Sequence, residues 1–214
     1  LYTVDRIRDG KSFTTRRVVA IQHGRAIFNM SISFQIPEDG FSHQMPMPEC
    51  PRPDALKDED ELRREWASEI DFDFDEGFFR ERPIEVRPID PMNMFKPEKR
   101  PPQQLCWMKA RDTLPDNQRL HQCVLAYLSD WSLLDTATLP HGINFTEDKM
   151  QMASLDHAMW FHRPFRADEW LLYVQDSPSA GGARGLNRGL IYNQAGELVA
   201  SAAQDGLIRI HEGD

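Results

Sequence analysis

The sequence is short of cysteine, with only Cys50, Cys106 and Cys123 in 214 residues. An odd number at wide spacing excludes a disulfide framework and fits reduced thiols in an intracellular compartment. No Cys-x-x-Cys or Cys/His pairing has the spacing of a zinc site, so no metal is expected. Long apolar runs are missing too. None approaches the ~18 residues of a membrane-spanning helix. Positive charge is scarce: 25 Lys and Arg stand against 34 Asp and Glu, a net of -9. Such a balance argues against a nucleic-acid backbone as the main partner, which would need clustered cations. A local basic patch could still meet the phosphates of a nucleotide-like ligand. A dinucleotide fingerprint is absent as well, because Gly181-Gly-Ala-Arg-Gly185 with Gly189 lacks the G-x-G-x-x-G order and precedes a strand. No signal peptide is visible, and the C-terminus carries no Ser-Lys-Leu tripeptide. The chain runs from Leu1 straight into a strand pattern, so it reads as a fragment.

What is present is ordinary for a soluble globular chain: 40% hydrophobic and 28% charged residues, enough for one large domain or two small ones. Leu1 to Ile7, Ser12 to Ile21 and Ala26 to Ile36 alternate polar and apolar, broken at Asp9-Gly10 and His23-Gly24, which predicts an antiparallel meander. Pro46, Pro48, Pro51 and Pro53 mark a linker. Leu62, Trp66 and Ile70 predict a short amphipathic helix within 56–70. Strands are predicted next at Arg82 to Ile89 and Leu105 to Arg111. The clearest helix then begins at Asp116 as N-cap and carries Leu120, Cys123, Val124, Tyr127, Trp131 and Leu134, ending at Pro140 and Gly142. Glu169 to Asp176, Arg184 to Asn193 and Leu198 to Ile210 predict a second meander.

The two meanders resemble each other. Laying Leu1 on Leu172 pairs Tyr2 with Tyr173, Asp5 with Asp176, Gly10 with Gly181 and Arg17 with Arg188. After a one-residue step, Gln22 falls on Gln194 and Gly24 on Gly196. An internal duplication is the favoured reading. Its second copy is whole, whereas the first has only the meander, so one face of the first meander should be exposed apolar surface.

Between the helix and the second meander lies Gln151-Met-Ala-Ser-Leu-Asp-His-Ala-Met-Trp-Phe-His-Arg-Pro-Phe165. Read as one strand, it mixes apolar and polar groups on both faces and belongs inside the structure, with Ser154, Asp156 and His157 partly buried. Asp156-His-Ala-Met-Trp-Phe-His-Arg-Pro-Phe165 resembles the signature strand of the type II acyl-CoA thioesterases, whose members carry two hotdog folds in one chain. Similarity extends from about Leu1 to Ile36 and from about Arg82 to Ile210. The resemblance implies an α+β double hotdog in which an antiparallel sheet curls around a long central helix, with the first hotdog incomplete. Residues 1–37 would be the C-terminal meander of that first hotdog, its helix and early strands missing. Residues 38–80 would be a linker with a short helix, and 81–214 a complete second hotdog.

Periodicity singles out Asp130, which shares a line with Cys123, Tyr127 and Leu134 and so carries a carboxylate on an apolar helix face. An ion pair or a loop amide would explain it as well as chemistry would. The resemblance implies chemistry. Family members use an Asp in the central helix, a Thr or Ser two residues before the Asp-His strand motif, and a Gln in the last strand. Asp130, Ser154 and Gln204 fill those positions, while the first repeat places Ile32 opposite Gln204. Asp130 would act as general base on a water held by Gln204 and Ser154. A Ser154 nucleophile is the competing mechanism, but His157 points to the opposite strand face. His157 and His162 are read as hydrogen-bonded structural residues, and Trp131 and Trp160 as core.

The expected activity is hydrolysis of acyl-CoA to free fatty acid and coenzyme A, with no cofactor. Arg184 and Arg188 are candidates for the phosphates of coenzyme A, although exposed strand arginines need no such role. An enoyl-CoA hydratase of hotdog fold would want an Asp and a His converging near the helix start, where His121 lies off the line. A non-catalytic acyl-CoA-binding module is the third reading. Homo-oligomerisation through the hotdog sheets is expected. The Pro-rich stretch 91–102 suggests a peroxisomal protein, with a cytoplasmic one as the alternative.

Overall fold

A computed structural model describes residues 1–143 and 150–211. The chain divides into two compact units, Leu1–His43 and Gln44–Asp214. The first is an antiparallel meander of β1 (Tyr2–Asp9), β2 (Phe13–Gln22) and β3 (Arg25–Gln35). His23 and Gly24 both have positive φ, 49° and 74°, as a tight hairpin turn between twisted strands requires.

The second unit holds a seven-stranded antiparallel sheet. Its strands are β4 (Ile84–Pro88), β5 (Gln103–Ala110), β6 (Met150–Ser154), β7 (Ala158–Phe161), β8 (Leu171–Gly181), β9 (Arg184–Asn193) and β10 (Leu198–Ile210). They lie in the order β4-β5-β8-β9-β10-β6, with β7 also on β10. Among the described residues two α-helices accompany it, α1 (Glu59–Ala67) and α2 (Gln118–Asp130). Leu125 and Leu128 of α2 are fully buried against Val86, Met108, Leu171, Tyr173, Ile191 and Ala200 of the sheet. Each such leucine contributes roughly 1.5–3 kcal/mol of burial. On the opposite sheet face, Trp107, Leu172 and Tyr192 are covered by Met47, Cys50 and Leu56. The Pro-rich segment therefore packs on the sheet, and its Pro51 carbonyl accepts from Trp107 Nε1 at 2.8 Å.

The two meanders share their pairing register. Asp5 faces Arg17 and Asp176 faces Arg188. In the first unit Ala20 pairs with Phe28 and Ile21 with Ala26, skipping Ile27. In the second, Ile191 pairs with Ala200 and Tyr192 with Leu198, skipping Val199. The same strand irregularity at the same place supports the duplication more strongly than residue identities do. The row Tyr173–Ile191–Ala200 faces α2 in the core. Its counterpart carries Tyr2 and Phe28, 74% and 52% exposed, on either side of buried Ala20.

Two expectations need correction. The helix begins one residue later than predicted, with Asn117 as N-cap accepting from Arg119 N at 3.1 Å. It stops at Asp130 and does not continue to Pro140, because Trp131 turns extended (ψ 124°) and Ser132 takes a left-handed φ of 62°. The stretch 151–165 is also not one interior strand. It forms β6 and β7, both on the outer edge of β10, and Leu155, Trp160 and Phe161 are exposed. A strand that ends a sheet lacks a neighbour on one side, so its mixed faces do not imply burial.

Candidate active site

The buried stripe of α2 is His121, Leu125, Leu128 and Ser129. It is rotated from the predicted line, and Cys123 and Tyr127 point outward. Asp130 is correspondingly not buried: its side chain is 57% exposed. It is the last helical residue, where the backbone carbonyls make the surroundings negative and a carboxylate is disfavoured. A local rule broken in this way points to use. The next residue, Trp131, is held firmly. Its Nε1 donates to Glu59 Oε2 at 3.1 Å. The Arg82 guanidinium lies 4.1 Å from the centroid of the Trp131 ring and pairs with Glu59 at 3.1 Å.

Ser154 ends β6 opposite Gly206, and Ala158 opens β7 opposite Ala203. Between them three residues, Leu155 to His157, face two on β10. The N-H groups of Leu155 and Asp156 both donate to the Asp205 carbonyl, at 3.0 and 3.3 Å. The Asp156 carboxylate accepts from Asp205 N at 2.9 Å. This is a β-bulge, a device that re-aims side chains beside active sites.

Asp130, Ser154 and Gln204 meet here. The fully buried Gln204 donates through Nε2 to Asp130 Oδ1 and, at 2.9 Å, to Ser154 Oγ. Ser154 Oγ donates to Asp130 Oδ1 at 3.3 Å. The arginine candidates lie outside this cluster. Arg184 pairs with Asp205 at 2.7 Å and Arg188 with Asp176 at 2.6 Å, both guanidinia exposed.

His157 is hydrogen-bonded as expected, but the structure corrects the direction in which it points. Its Nδ1 lies 4.0 Å from Asp130 Oδ1, and its Nε2 lies 2.8 Å from Ser129 Oγ. Strand alternation cannot find this, because the bulge interrupts it. Ser129 was missed altogether: it is fully buried and its carbonyl accepts from Tyr173 Oη at 2.8 Å. Tyr173→Phe removes that donor from a buried carbonyl and is expected to destabilise the fold by ~1–3 kcal/mol, measured as a lower denaturation midpoint. His162 has the structural role expected of it, with Nε2 2.8 Å from Ser201 Oγ. At the helix start, His121 is buried and its Nδ1 accepts from Ala167 N at 3.1 Å. Among the described residues no cluster could hold a metal ion and no helix is long and apolar enough to cross a membrane. Burial pushes the Cys106 thiol up to about 12, so it is not a nucleophile.

A sheet wrapped on one face around a single helix defines a hotdog protein, and here it accompanies a hydrogen-bonded carboxylate, hydroxyl and amide. The profile of the family described as acyl-CoA thioesterase matches residues 73–207. The chain belongs to this family and is a thioester hydrolase of type II. It is 40% identical to Acyl-CoA thioesterase 2 of Haemophilus influenzae over 99% of this chain and 74% of that one. Acyl-coenzyme A thioesterase 8 of Mus musculus is 41% identical, over 98% of this chain and 68% of that one. The crystal structure of acyl-CoA thioesterase II TesB2 from Mycobacterium marinum superposes with a TM-score of 0.78 at 46% identity, covering 100% of this chain and 75% of that one. A hot dog fold protein from Alicyclobacillus acidocaldarius, at 16% identity and a TM-score of 0.75, shares the fold alone.

Proposed function

We propose that this chain hydrolyses acyl-CoA with Asp130 as general base on a water that Gln204 and Ser154 help to hold. The observation that carries the reading is the single hydrogen-bonded cluster formed by three side chains 24 to 74 residues apart. The Asp130 carboxylate takes a proton from water as the water oxygen bonds to the thioester carbonyl carbon. The carbonyl electrons move onto oxygen, then return as the C–S bond breaks. The departing thiolate recovers the proton from Asp130, giving fatty acid and coenzyme A. No acyl-enzyme forms. A thiolate of ordinary pKa about 8.5 leaves readily, so the difficult step is delivery of the nucleophile.

Arg184 and Arg188 belong to the same reading as cations for the phosphates of coenzyme A. Exposed ion pairs contribute ~0–1 kcal/mol, so exchange of a carboxylate partner for a phosphate costs little. Assembly of the sheets into a homo-oligomer also belongs to it, with exposed Trp160 and Phe161 on the outer edge strand as contact residues. The buried His121, its Nδ1 engaged by a backbone amide, offers little to the hydratase alternative.

Ser154→Ala separates the water mechanism from a serine nucleophile. Thiol release from palmitoyl-CoA is expected to fall about tenfold, the scale of one hydrogen bond, with linear product formation from the first turnover. Complete loss of activity, together with a stoichiometric acyl burst in the parent protein, would identify Ser154 as nucleophile.

A further inference from the structure

His157 belongs to no role assigned above, yet its ring is held in a defined orientation beside the base. Ser129 Oγ lies 2.9 Å from the Ala126 carbonyl, to which it donates. With its proton used there, Ser129 accepts from His157 Nε2–H. That fixes the tautomer of the neutral ring and leaves Nδ1 as a bare acceptor, aimed at the Asp130 carboxylate 4.0 Å away. Two acceptors at that separation have no proton to share. A water about 2.8 Å from each would subtend an angle of about 90°, near that between its own two O–H bonds.

We infer that His157 is a water-orienting catalytic residue: Nδ1 accepts the second hydrogen of the water whose first proton passes to Asp130. This rests on Asp130 being the base. With both hydrogens directed to protein acceptors, one lone pair of the water is turned away from them, toward the thioester carbonyl. The same geometry makes His157 an acid switch. Protonated Nδ1 becomes a donor, pairs with Asp130 and takes up the carboxylate that should receive the proton.

The groups acting on the ring oppose one another. Its side chain is only 23% exposed. Burial lowers its pKa from the ordinary 6.5, and the carboxylates of Asp130 and Asp156 hold it up, with burial the larger. His157 is therefore neutral and accepting at neutral pH, and activity is lost as pH falls through its lowered pKa.

Two substitutions divide the two ring nitrogens. His157→Gln places an amide N-H where Nε2 contacts Ser129 but removes the acceptor at Nδ1. His157→Asn keeps an acceptor near Nδ1 and cannot titrate. Thiol release by the full chain is measured with palmitoyl-CoA from about pH 5 to 9. For His157→Gln, kcat is expected to fall about tenfold with KM unchanged. For His157→Asn, kcat should fall less than in His157→Gln and the acid limb should move to lower pH. An unchanged kcat in His157→Gln overturns the inference, as does an unmoved acid limb in His157→Asn. Asp130→Asn in the same assay distinguishes the failures. If it is inactive while His157→Gln is normal, only the role of His157 falls; if it is fully active, the base and the inference fall together.

Discussion

Asp130→Asn is expected to lower kcat for palmitoyl-CoA by about 10²–10⁴-fold, the range for loss of a positioned acid–base group, with little change in KM. Asparagine keeps the shape and one carbonyl oxygen, so it can still accept from Gln204 Nε2 and Ser154 Oγ. What it loses is the capacity to take a proton. Asp130 is also the last residue of its helix and exposed, so the substitution opens no cavity in the core. Removing a negative charge at a helix C-terminus should even stabilise the fold slightly. Lower kcat with an equal or higher unfolding midpoint is the signature of a residue kept for chemistry. Full activity in the variant would remove Asp130 from the mechanism.

Gly189→Ala is expected to destabilise the second unit by ~1–3 kcal/mol, the cost of forcing extra volume into a filled core. A Cβ at this position would overlap the Tyr173 ring, standing 2.7 Å from Cζ and 2.8 Å from Oη. Tyr173 is fully buried and cannot swing outward. Its hydroxyl donates to the Ser129 carbonyl, one residue before Asp130, so displacement of the ring also disturbs the end of the helix. The unfolding midpoint should drop by about 2–4 °C per kcal/mol for a unit of this size, and kcat should fall with it. Gly181→Ala is the control, because a Cβ there meets nothing within 4 Å. Its effect should stay within about 0.5 kcal/mol. Equal midpoints for the two variants would show that the Tyr173 contact relaxes freely.

Much of the fold is legible in the order of residues. Hairpin breaks at Asp9-Gly10 and His23-Gly24 place the strands of the first meander, and at the second of them glycine supplies the positive φ that a tight turn needs. Strands β9 and β10 coincide with the predicted ranges Arg184 to Asn193 and Leu198 to Ile210. The helix is legible but its end is not, since the break at Trp131 and Ser132 contains neither glycine nor proline. Tertiary anchoring of Trp131 by Glu59 and Arg82 overrides a continuous apolar pattern there.

The sequence alone determined the meanders and singled out Asp130, because turn chemistry and periodicity are local and survive in one dimension, while Ser154 and Gln204 were named by the resemblance of the Asp156–Phe165 motif and its surroundings to a family. Only the tertiary structure decided which of those residues meet. The bulge at Leu155–His157 turns His157 toward the helix, and the stop at Asp130 brings the carboxylate to Gln204 and Ser154. Both depend on hydrogen bonds between segments distant in the chain, at the Asp205 backbone and at Glu59. Such bonds leave no local signature, so side-chain direction at the end of a helix or across a bulge is set by the packed fold.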